Sequence, residues 1–104
     1  KIYKKNSDDV HSLPDNFLNF LYEDIRDDII WIGSYNSGLI MYDKLKDIFI
    51  KKKSMELIKN EYITTTIEDG ENNLWIGTFH RGLFKYNKFK DTFLSFKCLN
   101  PIFG

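Results

Sequence analysis

The apolar positions of this chain fall in short runs broken by turn residues, and no segment holds a 3.6-residue apolar period. Four runs come in order, Phe17 to Glu23, Ile29 to Tyr35, Leu39 to Tyr42 and Ile48 to Lys53. Four more follow them, Tyr62 to Glu68, Leu74 to Phe79, Leu83 to Tyr86 and Thr92 to Lys97. Turn signals recur about every ten residues, the spacing of an all-β fold. Residues 13–22, with Pro14 near their start, could be read as a helix. Their counterpart Tyr62-Ile63-Thr64-Thr65-Thr66-Ile67 is β-branched or aromatic almost throughout, which argues for a strand in both places.

The second set of runs repeats the first. Trp31-Ile32-Gly33 returns as Trp75-Ile76-Gly77, Gly38-Leu39 as Gly82-Leu83, and Tyr42, Lys44, Lys46, Asp47 and Phe49 as Tyr86, Lys88, Lys90, Asp91 and Phe93. All these pairs stand 44 positions apart. Upstream, Glu23-Asp24 matches Glu68-Asp69 with one extra residue in the first copy. That insertion falls in Ile25-Arg26-Asp27-Asp28, opposite the turn-like Gly70-Glu71-Asn72-Asn73, where an insertion is tolerated. A period of this length marks a supersecondary unit that cannot bury its faces alone.

Gly38 and Gly82 close the loops Asn36-Ser37 and His80-Arg81, where a hairpin calls for positive φ. Gly33 and Gly77 lie inside strands beside Trp, where they let a ring or a neighbouring sheet approach. Lys51-Lys52-Lys53 and Lys97 read as the solvated, edge-protecting part of an outer strand, in preference to an anion site. Trp31 and Trp75, being repeated, are assigned to packing, and both are expected to be largely buried.

Four-stranded units of about 44 residues fit β-propeller blades. The fold class is therefore all-β, two tandem four-stranded antiparallel β-propeller blades, part of a larger propeller. Residues 1–12 are expected to be an outer strand of a preceding blade plus a linker, 13–56 blade 1, and 57–104 blade 2 and the start of the next connection. Glu68-Asp69-Gly70-x-x-Asn73-Leu74-Trp75-Ile76-Gly77-Thr78-x-x-x-Gly82-Leu83-x-x-Tyr86-Asn87, closed by Phe93, resembles the two-component regulator propeller repeat. The first copy fits more loosely, with Ile25 for the usual Gly, Ser37 for the first glycine of the usual pair and Ser34 for Thr. The resemblance implies the extracytoplasmic, periplasmic sensor region of bacterial hybrid two-component proteins, many of which detect oligosaccharides. Kinase activity would then reside in other domains of the parent protein.

Composition adds mainly exclusions. The chain has 104 residues, 15 basic and 15 acidic, so no global field favours nucleic acid or an acidic membrane. No apolar run is long enough to span a bilayer. The single cysteine, Cys98, cannot form an internal disulfide or a zinc site. His11 and His80 are the only histidines, without metal-ligand spacing, and no phosphate loop or nucleophile elbow is present. The expectation is a protein that is not an enzyme, without cofactor or metal. Asp69, Glu71 and Asn73, with Asp24 and Asp28 in the equivalent turn, could offer oxygens to Ca²⁺, but an Asx-stabilised turn accounts for them more simply.

The sharper candidates lie in the loops between second and third strands: Tyr35, Asn36 and Ser37 in one copy, Phe79, His80 and Arg81 in the other. They differ where the scaffold around them repeats. In a propeller they share a face with the blade-to-blade connections. Aromatic, amide and guanidinium groups suit sugar rings and hydroxyls. The favoured function is thus a ligand-sensing segment with an oligosaccharide ligand, partnered by further blades of its parent or by copies of itself. The alternative is a non-sensory propeller scaffold for protein–protein interaction.

Overall fold

A computed structural model describes residues 2–6, 12–24 and 27–96. The strands are β1 (Leu18–Asp24), β2 (Ile29–Ser34), β3 (Leu39–Asp43) and β4 (Ile48–Ile50), then β5 (Ile63–Glu68), β6 (Asn73–Thr78), β7 (Leu83–Asn87) and β8 (Thr92–Phe96). They form two four-stranded antiparallel meanders, β1-β2-β3-β4 and β5-β6-β7-β8. These are the two propeller blades.

The blades agree even in their irregularities. The β1–β2 ladder slips at Asn19 and the β5–β6 ladder at Thr64, the equivalent position. Such a bulge turns one side chain off the ladder, and Asn19 Nδ2 uses it to donate to the Ile63 carbonyl of blade 2 at 2.9 Å. Left-handed backbone recurs at Asp28 and Asn72, at Gly38 and Gly82, and at Asp47 and Asp91. A short Asx side chain tolerates that region by bonding locally: Tyr42 donates to Asp47 at 2.6 Å and Tyr86 to Asp91 at 2.7 Å. Gly33 has a ring as its neighbour, since a Cβ there would lie 2.1 Å from Phe20.

Side chains alternate across each strand, so β2 sends Ile29 and Trp31 toward blade 2 and Ile30 and Ile32 to the opposite face. The larger core fills the space between blades. Trp31 and Leu39 meet Ile63, Leu74, Ile76, Phe84 and Tyr86, and Met55 and Ile58 close the cluster. Those last two come from a short 3-10 helix, Lys53–Ile58, kinked at Met55. This helix corrects the expected strand, which ends at Ile50, and it straddles the expected boundary between residues 56 and 57. The lysines leave the sheet and fasten the linker: Lys51 Nζ donates to the Lys59 carbonyl at 2.7 Å, and Lys52 lies over the Tyr86 ring at 5.7 Å.

Trp31 is 2% exposed. Trp75 is only half-buried, contrary to expectation, because no blade covers its face among the described residues. Its cover comes from its own sheet, with Phe96 at 5.6 Å and Lys85 at 5.4 Å. Residues 2–6 carry no strand; Tyr3 packs edge-on against Tyr42 and Phe49 and donates to Asp47 at 2.7 Å. The rest of the segment assigned to an outer strand and linker, apart from Ser12, lies outside the described residues. So do Ile25, Arg26 and Lys97.

A buried cation ties the blades together. Lys88, in the β7–β8 turn, bonds Glu68 of its own blade and Asp24 of blade 1, with Asp27 at 3.5 Å. The three bonded side chains are 11%, 7% and 1% exposed. Burial alone would lower the Lys88 pKa, but the bonds to Asp24 and Glu68 outweigh it and the pKa is raised. Burial likewise pulls Glu68 upward, and its bonds to Lys88 and Tyr22 carry it below the ordinary value. With Asp24 so engaged, the buried Trp31 Nε1 has no acceptor among the described residues. In blade 2 the equivalent Asp69 accepts from Trp75 Nε1 at 2.9 Å.

Candidate functional site

The two β2–β3-type loops are built alike. Ser34 Oγ donates to the Gly38 carbonyl and accepts from Ser37 N–H, at 2.7 and 2.9 Å. Thr78 Oγ1 does the same with Gly82 and Arg81, at 2.7 and 3.0 Å. A hydroxyl is therefore what the repeat needs at this position, and Ser in place of Thr keeps it. Both loops sit at the end of the sheets where the blade connections enter. Tyr35 N–H donates to Phe17 O, Phe79 N–H to Tyr62 O, and Gly38 N–H to Glu61 O across the blade junction, at 3.1, 3.0 and 2.9 Å.

The loops meet through Tyr62, the residue just ahead of β5. Tyr62 lies between Tyr35, at 4.6 Å between ring centroids, and Phe79, at 5.5 Å and within 8° of parallel. His80 stands edge-on to Phe79 at 4.7 Å. Four rings thus form one row across the junction, and Phe79 is 63% exposed. Burial first, and the neighbouring Tyr35 second, raise the Tyr62 phenol above its ordinary pKa.

Beside the row, Glu61 faces His80 Nδ1 at 3.6 Å and accepts from Arg81 Nε at 3.3 Å. Asn36 and Ser37 are tied down differently. Asn36 N–H donates to Asp15 Oδ2 at 3.0 Å, and Ser37 N–H to Ser34. Asp15, buried, also accepts from Phe17 N–H at 2.8 Å and so pins the start of blade 1 to its loop. Of the six candidates, the structure brings Tyr35, Phe79, His80 and Arg81 to one surface, with Tyr62 and Glu61 as the residues missed. Their signal was the aromatic match of Phe17 with Tyr62 at a strand start, which has meaning only once the neighbouring blade is in place.

The acidic turn is an Asx turn. Asp69 accepts from Trp75 Nε1, Glu71 N–H, Asn73 N–H and Asn73 Nδ2, at 2.9, 2.8, 3.1 and 3.1 Å. The Trp75 bond, with the turn N–H groups behind it, holds its pKa down at about 2. Among the described residues no three His, Cys, Asp or Glu side chains are grouped to hold a metal ion, and no helix is long and apolar enough to cross a membrane. His11 and Cys98 lie outside the described residues.

No curated protein matches the chain. A family model does: residues 57–80, which run from the linker through β5 and β6 into the loop bearing Phe79 and His80, match the two component regulator propeller.

Proposed function

We propose that the chain is a ligand-sensing segment of a β-propeller in a bacterial two-component sensor. In this reading it binds oligosaccharide outside the cytoplasmic membrane and signals through domains not in this chain. The observation that carries the reading is the row Tyr35–Tyr62–Phe79–His80 on the loop end of two adjacent blades. Aromatic faces there suit the apolar faces of pyranose rings. Glu61 and Arg81 flank them with an acceptor and a donor for hydroxyls. A row that spans a blade junction also reports on the angle between blades, so occupancy biases that angle by whatever difference in affinity the two arrangements have.

The test is a glycan array followed by calorimetry on the hits. Phe79→Ala, at an exposed loop position, is expected to weaken binding by about tenfold, the upper end for one aromatic stacking contact. Hits whose affinity is unchanged by Phe79→Ala and by Arg81→Ala would put the ligand elsewhere. An array without hits, together with a protein partner lost in Phe79→Ala, would favour the scaffold reading.

A further inference from the structure

A cavity of about 120 Å³ lies between the end of β4 and the 3-10 helix, at the junction that both blades complete. Lys51, Lys52, Lys53, Lys59 and Glu56 line it, with the buried Leu39 at its base. It is far larger than the roughly 10–15 Å³ that one water needs, so it has room for a polyatomic group. In a chain with 15 basic and 15 acidic residues, four lysines around one glutamate are a local excess of positive charge. β4 ends at Ile50, so guarding a sheet edge does not explain these lysines. Fastening the linker explains them only in part. Lys52 turns to Tyr86 and Asp91, and Lys59 to Glu56 at 2.6 Å. Lys51 gives one ammonium N–H to the Lys59 carbonyl, which leaves two. Lys53 Nζ has no bond among the described residues. Desolvation first, and the neighbouring Lys59 second, hold the Lys51 pKa below its ordinary value, a penalty that an anion in the cavity would relieve.

The cavity adjoins the ring row. Lys59 and Tyr62 are three residues apart, so their Cα atoms lie within about 11 Å of each other. Gly38 fixes the stretch between them. Its N–H donates to Glu61 O at 2.9 Å, and its Cα sits so close to the linker that a Cβ would lie 2.2 Å from Ile58 O. Tyr35 stands at the other end of that same loop and carries the row onward to Tyr62. On the reading of the row as a sugar site, we propose that this cavity seats an oxyanion substituent, carboxylate or sulfate, of an oligosaccharide whose neighbouring ring lies on Tyr35 and Tyr62. Lys51 and Lys53 donate to the oxyanion, and charge-assisted bonds of this kind are the stronger class. The ligand is then an acidic oligosaccharide and not a neutral one.

Calorimetry on matched pairs tests it: uronic-acid oligosaccharides with their carboxyl-reduced forms, and sulfated oligosaccharides with their desulfated forms. The charged member of one pair is expected to bind about tenfold more tightly than its neutral partner, the scale of one hydrogen bond to a charged group, and the pair that shows this names the oxyanion. Lys53→Met gives up no bond of the fold and is expected to bring the charged form down to the affinity of the neutral one. Lys51→Met should do the same, and Phe79→Ala should weaken both forms. Equal affinity within every pair, with Phe79→Ala still weakening both members, overturns the inference and leaves the sugar reading of the row standing. An advantage of the charged form that survives Lys53→Met and Lys51→Met overturns it too, as does inorganic sulfate that binds as tightly as the sulfated sugar. A charged form that is lost in Lys53→Met and indifferent to Phe79→Ala keeps the oxyanion in the cavity and overturns the row as its sugar platform. No binding of either member of any pair overturns both.

Discussion

Replacing Lys88 by Met removes a cation that two buried carboxylates share, and its cost can be bounded from the structure. Asp24 and Glu68 are 1% and 7% exposed, so water replaces little of what the ammonium supplied. Breaking a buried pair by deleting one partner costs about 3–5 kcal/mol. An independent ceiling follows from protonation. One carboxylate can escape by taking up a proton, which at pH 7 and an ordinary pKa near 4 costs about 4 kcal/mol at roughly 1.4 kcal/mol per unit. The two routes agree, and a small domain holds only about 5–10 kcal/mol in all. Urea unfolding followed by Trp fluorescence and far-ultraviolet circular dichroism should therefore show most of the stability gone in Lys88→Met. Adding Asp24→Asn and Glu68→Gln should return much of it. Lys44→Met is the internal control, because its pair with Glu23 stands 31% and 55% exposed and solvent screens it. The sign in pH follows from the shifts. The part due to Glu68, whose pKa is depressed, is present above its unfolded value and lost as pH falls through the folded one. The part due to Lys88, whose pKa is raised, is present below its unfolded value and lost as pH rises through the folded one. Equal shifts for Lys88→Met and Lys44→Met, or no recovery on neutralising the carboxylates, would refute the buried staple.

Three further outcomes are expected. Acrylamide should quench the fluorescence of the Trp31→Phe chain, which keeps the half-buried Trp75, far more than that of Trp75→Phe, which keeps Trp31; similar quenching would contradict the one-sided burial. Gly38→Ala should destabilise strongly, since φ is +69° and the new Cβ would lie 2.2 Å from the Ile58 carbonyl, whereas Gly70→Ala, with nothing within 4 Å, should be near neutral in the same unfolding assay. Asp69 titrates at about 2 against an unfolded value of 3.8, so it contributes stability above that value that is lost as pH falls toward about 2; Asp69→Asn should flatten the acid limb of stability against pH, and an unchanged limb would remove Asp69 as its source.

Strand order and turn geometry were legible because they are local. Glycine before a leucine at 38 and 82 states the required backbone directly, and the structure has positive φ at both; the same conformation at Asp47 and Asp91 emerges only in the structure. The 3-10 helix at Lys53–Ile58 was not legible. Six residues carry no usable period, and its reason to exist is a slot between blades that Met55 and Ile58 fill. The site was half legible for a similar reason. Loop variation pointed to Tyr35 and Phe79, but Tyr62 joins them only because two sheets stand side by side. Tyr62 therefore looked like any other aromatic at a strand start.

The deeper mismatch between sequence and structure lies in residues that are identical in both copies and different in energy. Trp31 and Trp75 hold the same register position in their sheets, between Tyr22 and Met41 in one and Ile67 and Lys85 in the other, yet only Trp31 is enclosed. Lys44 and Lys88 occupy the same turn, yet only Lys88 reaches a second blade. Leu39 and Leu83 differ in the same way, one at 3% exposure and the other at 41%. In each pair the place within the blade repeats and the main difference is the blade on the other side. That is the behaviour of a repeat array, in which stability is a sum of unit terms and nearest-neighbour interface terms. For this chain the interface term is the larger source of contrast, because the larger apolar core lies between the sheets and the buried Lys88–Asp24 pair crosses that same gap. It follows that equivalent substitutions in the two blades are not equivalent experiments. A change at Trp75, Leu83 or Lys44 reads a face still open in this chain, and its cost should rise toward that of its partner position when another blade is set against it.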